Sequence, residues 1–285
     1  MENKGLALVT GADGGMGSIH TRTLAKEGYE VIMACYDAKV AEPVYEAIRE
    51  ETGATLHLMQ VDLGDLHDII RFADEVKSRF SSLKILLNNA GVLCHKAKNS
   101  VDNIEYTRAV NYLGHYTLTN ALLPIMGPGT RIVSMVSIAY IMGKIGEDFL
   151  SPTDDEKFNR FTAYGSSKRA LYYFTLHAAE QWKDRGICIN VADPDIVSTG
   201  IIRQGNIVVD KLCDWFFRPI INTPEQGAAT MLAAALNPEF EGVTGSYFKK
   251  QKVKKPKRRF YNNVANRELL IRVTQETLRK NNIEL

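Results

Sequence analysis

The sequence predicts an α/β fold in which a parallel seven-stranded sheet carries helices on both faces within a single doubly wound domain. Three observations lead to this prediction. Short apolar runs typical of buried strands alternate with longer segments of helical periodicity. A glycine-rich turn joins the first strand to the first helix. Neither an internal repeat nor a linker divides residues 1–248, whereas residues 249–285 are interpreted as a basic C-terminal tail containing one helix.

The predicted elements follow one another in the order expected for parallel strands joined by crossover helices. Predicted strands cover Leu6–Thr10, Val31–Cys35, Leu56–Val61, Ile85–Asn88, Arg131–Val136, Cys188–Ala192 and Ser246–Phe248. Predicted helices run from Gly15 to Glu27 and over Ala38–Thr52, Leu66–Phe80, Asn103–Ile125, Tyr164–Arg185, Pro224–Leu236 and Val264–Lys280. Ligands of such sheets bind beyond the carboxyl ends of the strands, so residues that follow strands are the first candidates for a site.

Composition excludes several classes of protein. Lys and Arg number 35 against 33 Asp and Glu, so net charge suggests no particular partner. The cysteines show no CxxC pair and the histidines no HExxH pattern, which predicts a reduced protein without a metal site. The first residues lack a signal-peptide pattern, and no apolar run approaches the ~20 residues of a membrane span. We therefore expect a cytoplasmic protein.

The turn Gly11-Ala12-Asp13-Gly14-Gly15-Met16-Gly17 lies between a strand pattern and a helix pattern. Its glycines allow a tight turn and a close approach of the backbone to a pyrophosphate. The positive end of the following helix favours that negative charge. The turn predicts a nucleotide-binding site.

Tyr164 and Lys168 are four residues apart at the start of a long helical pattern. One helical turn places both side chains on the same face, and a nearby ammonium favours the phenolate. The pair is therefore suited to general acid/base catalysis. Further polar residues follow other predicted strands: Asp62, Asn88-Asn89-Ala90-Gly91, Ser137 and Pro194.

With these residues the chain resembles the short-chain dehydrogenase/reductase family, whose members have a Rossmann fold. Thr10 to Gly17 matches the family's TGxxxGxG turn, and Asn88 to Gly91 matches its NNAG motif. Asn111, Ser137, Tyr164 and Lys168 match its catalytic tetrad in order. Within the family, the run Asn111-Tyr112-Leu113-Gly114-His115 and the interval from Ser137 to Tyr164 look most like the retinol dehydrogenase-type branch.

The resemblance implies hydride transfer between a nicotinamide and an alcohol or carbonyl carbon. Tyr164 would transfer the proton, Ser137 would bind the substrate oxygen, and Lys168 would lower the pKa of Tyr164 and bind ribose, with Asn111 anchoring a water. The implied cofactor contacts are Thr10, Gly11, Asp13, Gly15, Met16, Gly17, Cys35, Tyr36, Asp62, Leu63, Asn89, Ala90, Gly91, Tyr164, Lys168, Pro194, Val197 and Thr199.

Two regions of the sequence depart from the family's pattern. Relatives that select NAD carry Asp at the position of Cys35, and relatives that select NADP carry Arg at the position of Tyr36, whereas this chain has neither. Lys39 and the lack of a carboxylate at position 35 favour NADP slightly over NAD. Asp195 replaces the glycine that follows Pro194 in the family's pattern, which lies beside the nicotinamide in related enzymes. Its carboxylate needs a partner or solvent. We expect it either to favour the positively charged, oxidised nicotinamide or to point away from the site.

The substrate and partners are predicted from the C-terminal third. An apolar segment, 199–223, is expected to cover a lipophilic alcohol or ketone, or else to pack against the sheet or a second subunit. The resemblance implies a homodimer or homotetramer. The basic run 249–259 is interpreted as a solvated tail, with contact to membrane or nucleic acid as the alternative. A regulator that binds the cofactor without turnover is the competing function, although it would not need both Tyr164 and Lys168.

Overall fold

The computed structural model describes residues 3–195, 223–256 and 263–285. Its strands are β1 (Leu6–Thr10), β2 (Glu30–Cys35), β3 (Leu56–Gln60), β4 (Leu83–Asn88), β5 (Met126–Met135), β6 (Cys188–Asp193), β7 (Tyr247–Lys249) and β8 (Lys252–Lys254). Its helices are α1 (Gly15–Lys26), α2 (Ala38–Thr52), α3 (Leu66–Arg79), α4 (Tyr106–Arg108), α5 (His115–Ala121), α6 (Arg160–Gln181), α7 (Pro224–Leu236) and α8 (Val264–Lys280).

The strands form one sheet in the order β3-β2-β1-β4-β5-β6-β7-β8. All neighbours are parallel except β7 and β8, which form an antiparallel pair. The predicted doubly wound α/β fold is confirmed. The predicted strand count was wrong, because part of the basic run pairs with β7 and adds an eighth strand.

Alternate side chains of β1 face opposite sides of the sheet, as the period of a strand requires. Leu6 and Leu8 belong to a core under α3, α5, α6 and α8, whereas Ala7 and Val9 belong to a core under α1, α2 and α7. Every residue of β1 is buried. Helices on both faces therefore explain why this strand is continuously apolar.

The predicted helix over Asn103–Ile125 is interrupted. Between α4 and α5 the segment Ala109–Gly114 forms a π-helical turn, and Leu123–Ile125 is a short 3-10 helix. A π turn inserts an extra residue and reorients the side chains around it, and such turns are frequent at functional sites. Asn111 lies within this turn.

The strand order reverses between β1 and β4, two parallel neighbours from which the chain continues toward opposite edges of the sheet. A crevice opens at such a point beyond the carboxyl ends of the strands. Among the described residues, no helix is long and apolar enough to span a bilayer.

Candidate active site

A cavity of about 600 Å³ lies in this crevice. Residues named as cofactor contacts from the sequence line it: Gly11, Asp13, Gly15, Met16, Gly17, Tyr36, Asp62, Leu63, Asn89, Ala90 and Gly91. Thr10 and Cys35 lie behind its wall, with both side chains fully buried. Val197, Thr199 and residues 199–222 of the predicted segment 199–223 lie outside the described residues.

The glycine turn brings the backbone of α1 against the strand that precedes it. Gly11 has a φ of +60°, and a Cβ on Gly17 would lie 1.9 Å from the carbonyl oxygen of Gly11. Gly15 has open space where a Cβ would be, and no described side chain caps the first turn of α1. The first amides of this helix are therefore available to an anion, which fits a dinucleotide pyrophosphate.

Thr10 ties the NNAG segment to the glycine turn. Its hydroxyl oxygen accepts hydrogen bonds from the backbone N–H groups of Asn89 and Ala90, each at 3.0 Å. Nδ1 of His115 donates to the carbonyl oxygen of Asn111 at 3.0 Å, so Nε2 is the acceptor for the Thr10 hydroxyl, also at 3.0 Å. His115 therefore joins the π turn to Thr10, behind the wall of the cavity.

The side chain of Asn111 holds the segment that follows the NNAG motif. Its Oδ1 accepts from the N–H of Val92 at 2.7 Å, and its Nδ2 donates to the carbonyl oxygen of Val92 at 2.9 Å and to the hydroxyl of Ser167 at 3.1 Å. A Cβ on Gly91 would lie 3.5 Å from Oδ1 of Asn111 and 3.4 Å from Nζ of Lys168. The glycine thus lets the backbone pass closely beside both groups. A water anchored by Asn111 stays a prediction.

Ser137, Tyr164 and Lys168 meet at the carboxyl end of β5. Ser137 caps the short 3-10 helix Ile138–Met142, and its hydroxyl accepts from the N–H of Ala139 at 3.3 Å. Nζ of Lys168 lies 5.5 Å from the centre of the Tyr164 ring and donates to the carbonyl oxygen of Met135 at 2.9 Å. The structure therefore brings together three members of the predicted tetrad, Ser137, Tyr164 and Lys168.

The sequence model of the family described as short chain dehydrogenase matches residues 5–207 of this chain. The chain belongs to the short-chain dehydrogenase/reductase family. It is 32% identical over 260 residues to polyprenol dehydrogenase of Mus musculus, covering 88% of this chain and 77% of that protein. It is also 32% identical over 246 residues to retinol dehydrogenase 11 of Homo sapiens, covering 85% of this chain and 76% of that protein.

Solved structures agree with this assignment. A short chain dehydrogenase from Burkholderia cenocepacia in complex with NADP superposes with a TM-score of 0.68 at 25% identity, covering 85% of this chain and 94% of that one. A protein from Mycobacterium Paratuberculosis superposes with a TM-score of 0.74 at 24% identity over 97% and 94%, which shows the fold. The protein is thus an NAD(P)-dependent oxidoreductase of alcohols and carbonyls, of the retinol dehydrogenase-like branch.

Burial changes the proton affinity of both catalytic side chains of this dehydrogenase. It lowers the pKa of Lys168 from 10.5 to about 7. It raises the pKa of Tyr164 to about 12; a hydrogen bond with Ser137 opposes this rise and the charge of Asp193 adds to it. In the protein by itself the pKa of this phenol therefore moves in the opposite direction to the lowering expected from the sequence, because burial has the largest effect.

Asp195 has the partner that its carboxylate requires. Its Oδ1 lies 2.5 Å from Nζ of Lys249, and its φ of +63° falls in the left-handed region where glycine is favoured. Lys249 had been interpreted as part of a solvated tail, and this was wrong because β7 carries it back to the site. The ion pair explains how the enzyme tolerates an acid at this position.

Sequence reasoning assigned no role to three further residues at the site. Lys98 lines the cavity, and its Nζ lies 3.6 Å from the ring centre of Tyr106. His115 was quoted only as part of a run resembling related enzymes, although its spacing of four residues from Asn111 placed both on one helical face. No local pattern pointed to Lys98 or Tyr106. Among the described residues, no cluster of His, Cys, Asp and Glu could hold a metal ion.

Proposed function

We propose that this dehydrogenase interconverts a lipophilic alcohol and its carbonyl compound, with Tyr164 as the general acid/base. The meeting of Ser137, Tyr164 and Lys168 beside the dinucleotide cavity carries this proposal. When bound, the nicotinamide supplies or accepts the hydride. The protein must then hold the substrate oxygen and move one proton.

The proton is assigned to Tyr164 because its hydroxyl hydrogen-bonds with Ser137, the other group suited to binding the substrate oxygen. Lys168 follows one turn later and can exchange a proton near neutral pH, since burial lowers its pKa to about 7. Ser137 is positioned by the backbone of the 3-10 helix that it caps. These roles match the tetrad pattern of the family.

Exposed apolar side chains around the catalytic residues support a lipophilic substrate. Ile138 and Met142, on the 3-10 helix that follows Ser137, are 36% and 49% exposed. Phe161, one turn before Tyr164, is 53% exposed. Large exposed apolar residues close to catalytic residues favour an apolar ligand. The related proteins named polyprenol and retinol dehydrogenase agree with this choice.

We propose NADP as the preferred cofactor. A second cavity of about 390 Å³, lined by Tyr36, Asp37, Lys39, Gln60 and Asp62, continues beyond the end of β2. Lys39 provides a positive charge there for a 2′-phosphate, and the Burkholderia relative is in complex with NADP. Asp13 opposes this choice. Burial of the Cys35 thiol raises its pKa to about 12, and the negative charge of Asp13 adds to this rise, so the Asp13 carboxylate lies beside the end of β2.

The test begins with calorimetric titration of NAD, NADH, NADP and NADPH. Turnover is then followed by nicotinamide absorbance over a series of alcohols and carbonyls of increasing apolar length. We expect kcat/KM to rise with apolar length. Faster turnover of small polar alcohols than of the lipophilic ones would contradict the proposed substrate class, and tighter binding of NAD than of NADP would contradict the cofactor choice. The homodimer or homotetramer and the cytoplasmic location stay predictions, to be checked by sedimentation and by cell fractionation.

A further inference from the structure

Two carboxylates flank Pro194 at the carboxyl end of β6. Asp193 is fully buried; its Oδ1 accepts from the backbone N–H of Asp195 at 2.9 Å. Its Oδ2 accepts from the hydroxyl of Tyr247 and from Nζ of Lys249, the latter at 3.2 Å. The same Nζ lies 2.5 Å from Oδ1 of Asp195. One ammonium therefore bridges both acids across the proline.

The sheet fixes this arrangement. Asp193 and Lys249 are register partners of the parallel strands β6 and β7, so their side chains project from the same face of the sheet. The Lys249 side chain is only 26% exposed, and its strand is held on the other side by β8, where Lys249 pairs with Lys252. Burial alone would lower the pKa of Lys249, but its hydrogen bonds and charges with Asp195 and Asp193 raise it, so the lysine stays charged.

Of the two bridged acids, Asp193 is the one whose charge acts on a catalytic residue. The negative charge of Asp193 reaches Tyr164, where it adds to the rise of the phenol pKa. Pro194 was assigned to the nicotinamide end of the site from the family's pattern, and both acids are its direct neighbours. Two carboxylates against one ammonium and the neutral Tyr247 hydroxyl leave a net charge of about −1 beside this end.

We propose that Lys249 is a positioning residue that holds the Pro194 turn and sets the charge at the nicotinamide end of the site. Through its two ion pairs it limits the preference of the site for the positively charged, oxidised nicotinamide over the neutral, reduced form. This inference rests on the proposed function, since it assumes that the cavity binds NADP or NAD.

The experiment measures the dissociation constants of NADP⁺ and NADPH by calorimetry, or of NAD⁺ and NADH if wild type binds that pair. Lys249→Met removes the ammonium, and we expect the oxidised form to gain about fivefold over the reduced form. Lys249→Arg restores both ion pairs and should return the ratio to that of wild type. Lys252→Met, on the neighbouring strand, removes a lysine that is exposed and should leave the ratio unchanged.

A second variant has the opposite sign. Asp195→Asn removes one carboxylate and keeps a side chain that accepts the left-handed backbone, so the ratio should move about fivefold toward the reduced form. It also remains informative if Lys249→Met fails to fold. Opposite shifts support the proposal, because a merely structural ion pair would change both redox forms alike. Equal changes for the two forms in either variant overturn it, while a wild type that binds neither cofactor pair overturns the proposed function itself.

Discussion

The buried imidazole of His115 predicts a specific dependence of stability on pH. Burial lowers its pKa from 6.5 to about 4; the hydrogen bond to the Asn111 carbonyl opposes this shift, and the charge of Lys168 adds to it. The folded protein therefore binds this proton more weakly than the unfolded chain does. Its stabilising contribution is complete above about pH 6.5 and is lost as the pH falls toward 4.

The magnitude follows from the two pKa values. From about pH 7 to about pH 5, a shift of this size lowers the free energy of unfolding by about 2 kcal/mol. His20 on α1 is also fully buried, and burial lowers its pKa to about 4 as well, so it adds a similar amount. We expect wild type to lose about 4 kcal/mol from the two imidazoles over this interval.

The assay is urea unfolding at a series of pH values, with the free energy extrapolated to water. In His115→Gln the side chain keeps an amide for hydrogen bonding but does not titrate, so the loss should fall to about 2 kcal/mol. Asn120→Ala, on the same helix, removes one hydrogen bond of 2.8 Å to the Tyr116 carbonyl and should lower stability by the same amount at every pH. Curves of wild type and His115→Gln that run parallel would refute the reasoning.

Three further predictions concern the catalytic and cofactor residues. Tyr164→Phe should reduce turnover by a factor of about 10² to 10⁴ while the cofactor dissociation constant stays within a few-fold, because only the proton-transfer group is lost. Tyr45→Phe, away from the cavity, is the control, and near-normal turnover of the Tyr164 variant would contradict the assignment. Gly17→Ala should lower both the melting temperature and the cofactor affinity, because its Cβ would lie 1.9 Å from a backbone oxygen. Gly15→Ala, where the space is open, should keep the melting temperature of wild type, and equal melting temperatures of the two variants would contradict this steric argument. Asp13→Asn should strengthen NADP binding relative to NAD by removing a negative charge from the adenosine end, and an unchanged ratio by calorimetry would place that carboxylate away from the 2′ position.

The strands and the motif residues were predictable because their signals are local. In β1 five buried residues precede a turn whose glycines have a steric role, so local composition and residue order are enough to predict both the strand and the turn. The π turn at Ala109–Gly114 was not predictable, since its residues are all buried and show the same apolar pattern as an α-helix. Asn111 in this turn and His115 just after it hydrogen-bond with Val92 and Thr10, and helical periodicity does not encode such distant contacts.

The basic run after β7 is a second feature that local sequence signals did not predict fully. Its composition indicates a solvated segment, and for the exposed Lys252 and Lys254 that interpretation agrees with the structure. Lys249 differs because strand register carries it to Asp193, a residue far earlier in the sequence. Composition cannot separate a paired lysine from its solvated neighbours.

Asp195 shows why this distinction matters for function. From the sequence alone, its carboxylate had no identified partner, so it could either attract the oxidised nicotinamide or point away from the site. In the structure Nζ of Lys249 lies 2.5 Å from this carboxylate and also pairs with Asp193, so the ammonium offsets one of the two negative charges. The left-handed backbone at Asp195 costs up to about 1–2 kcal/mol for a residue other than glycine, less for Asp than for most. The ion pair and the hydrogen bond from its backbone N–H to Asp193 offset this cost, so the acid and the distant lysine form one unit, and substituting either alone changes the charge that the other presents to the site.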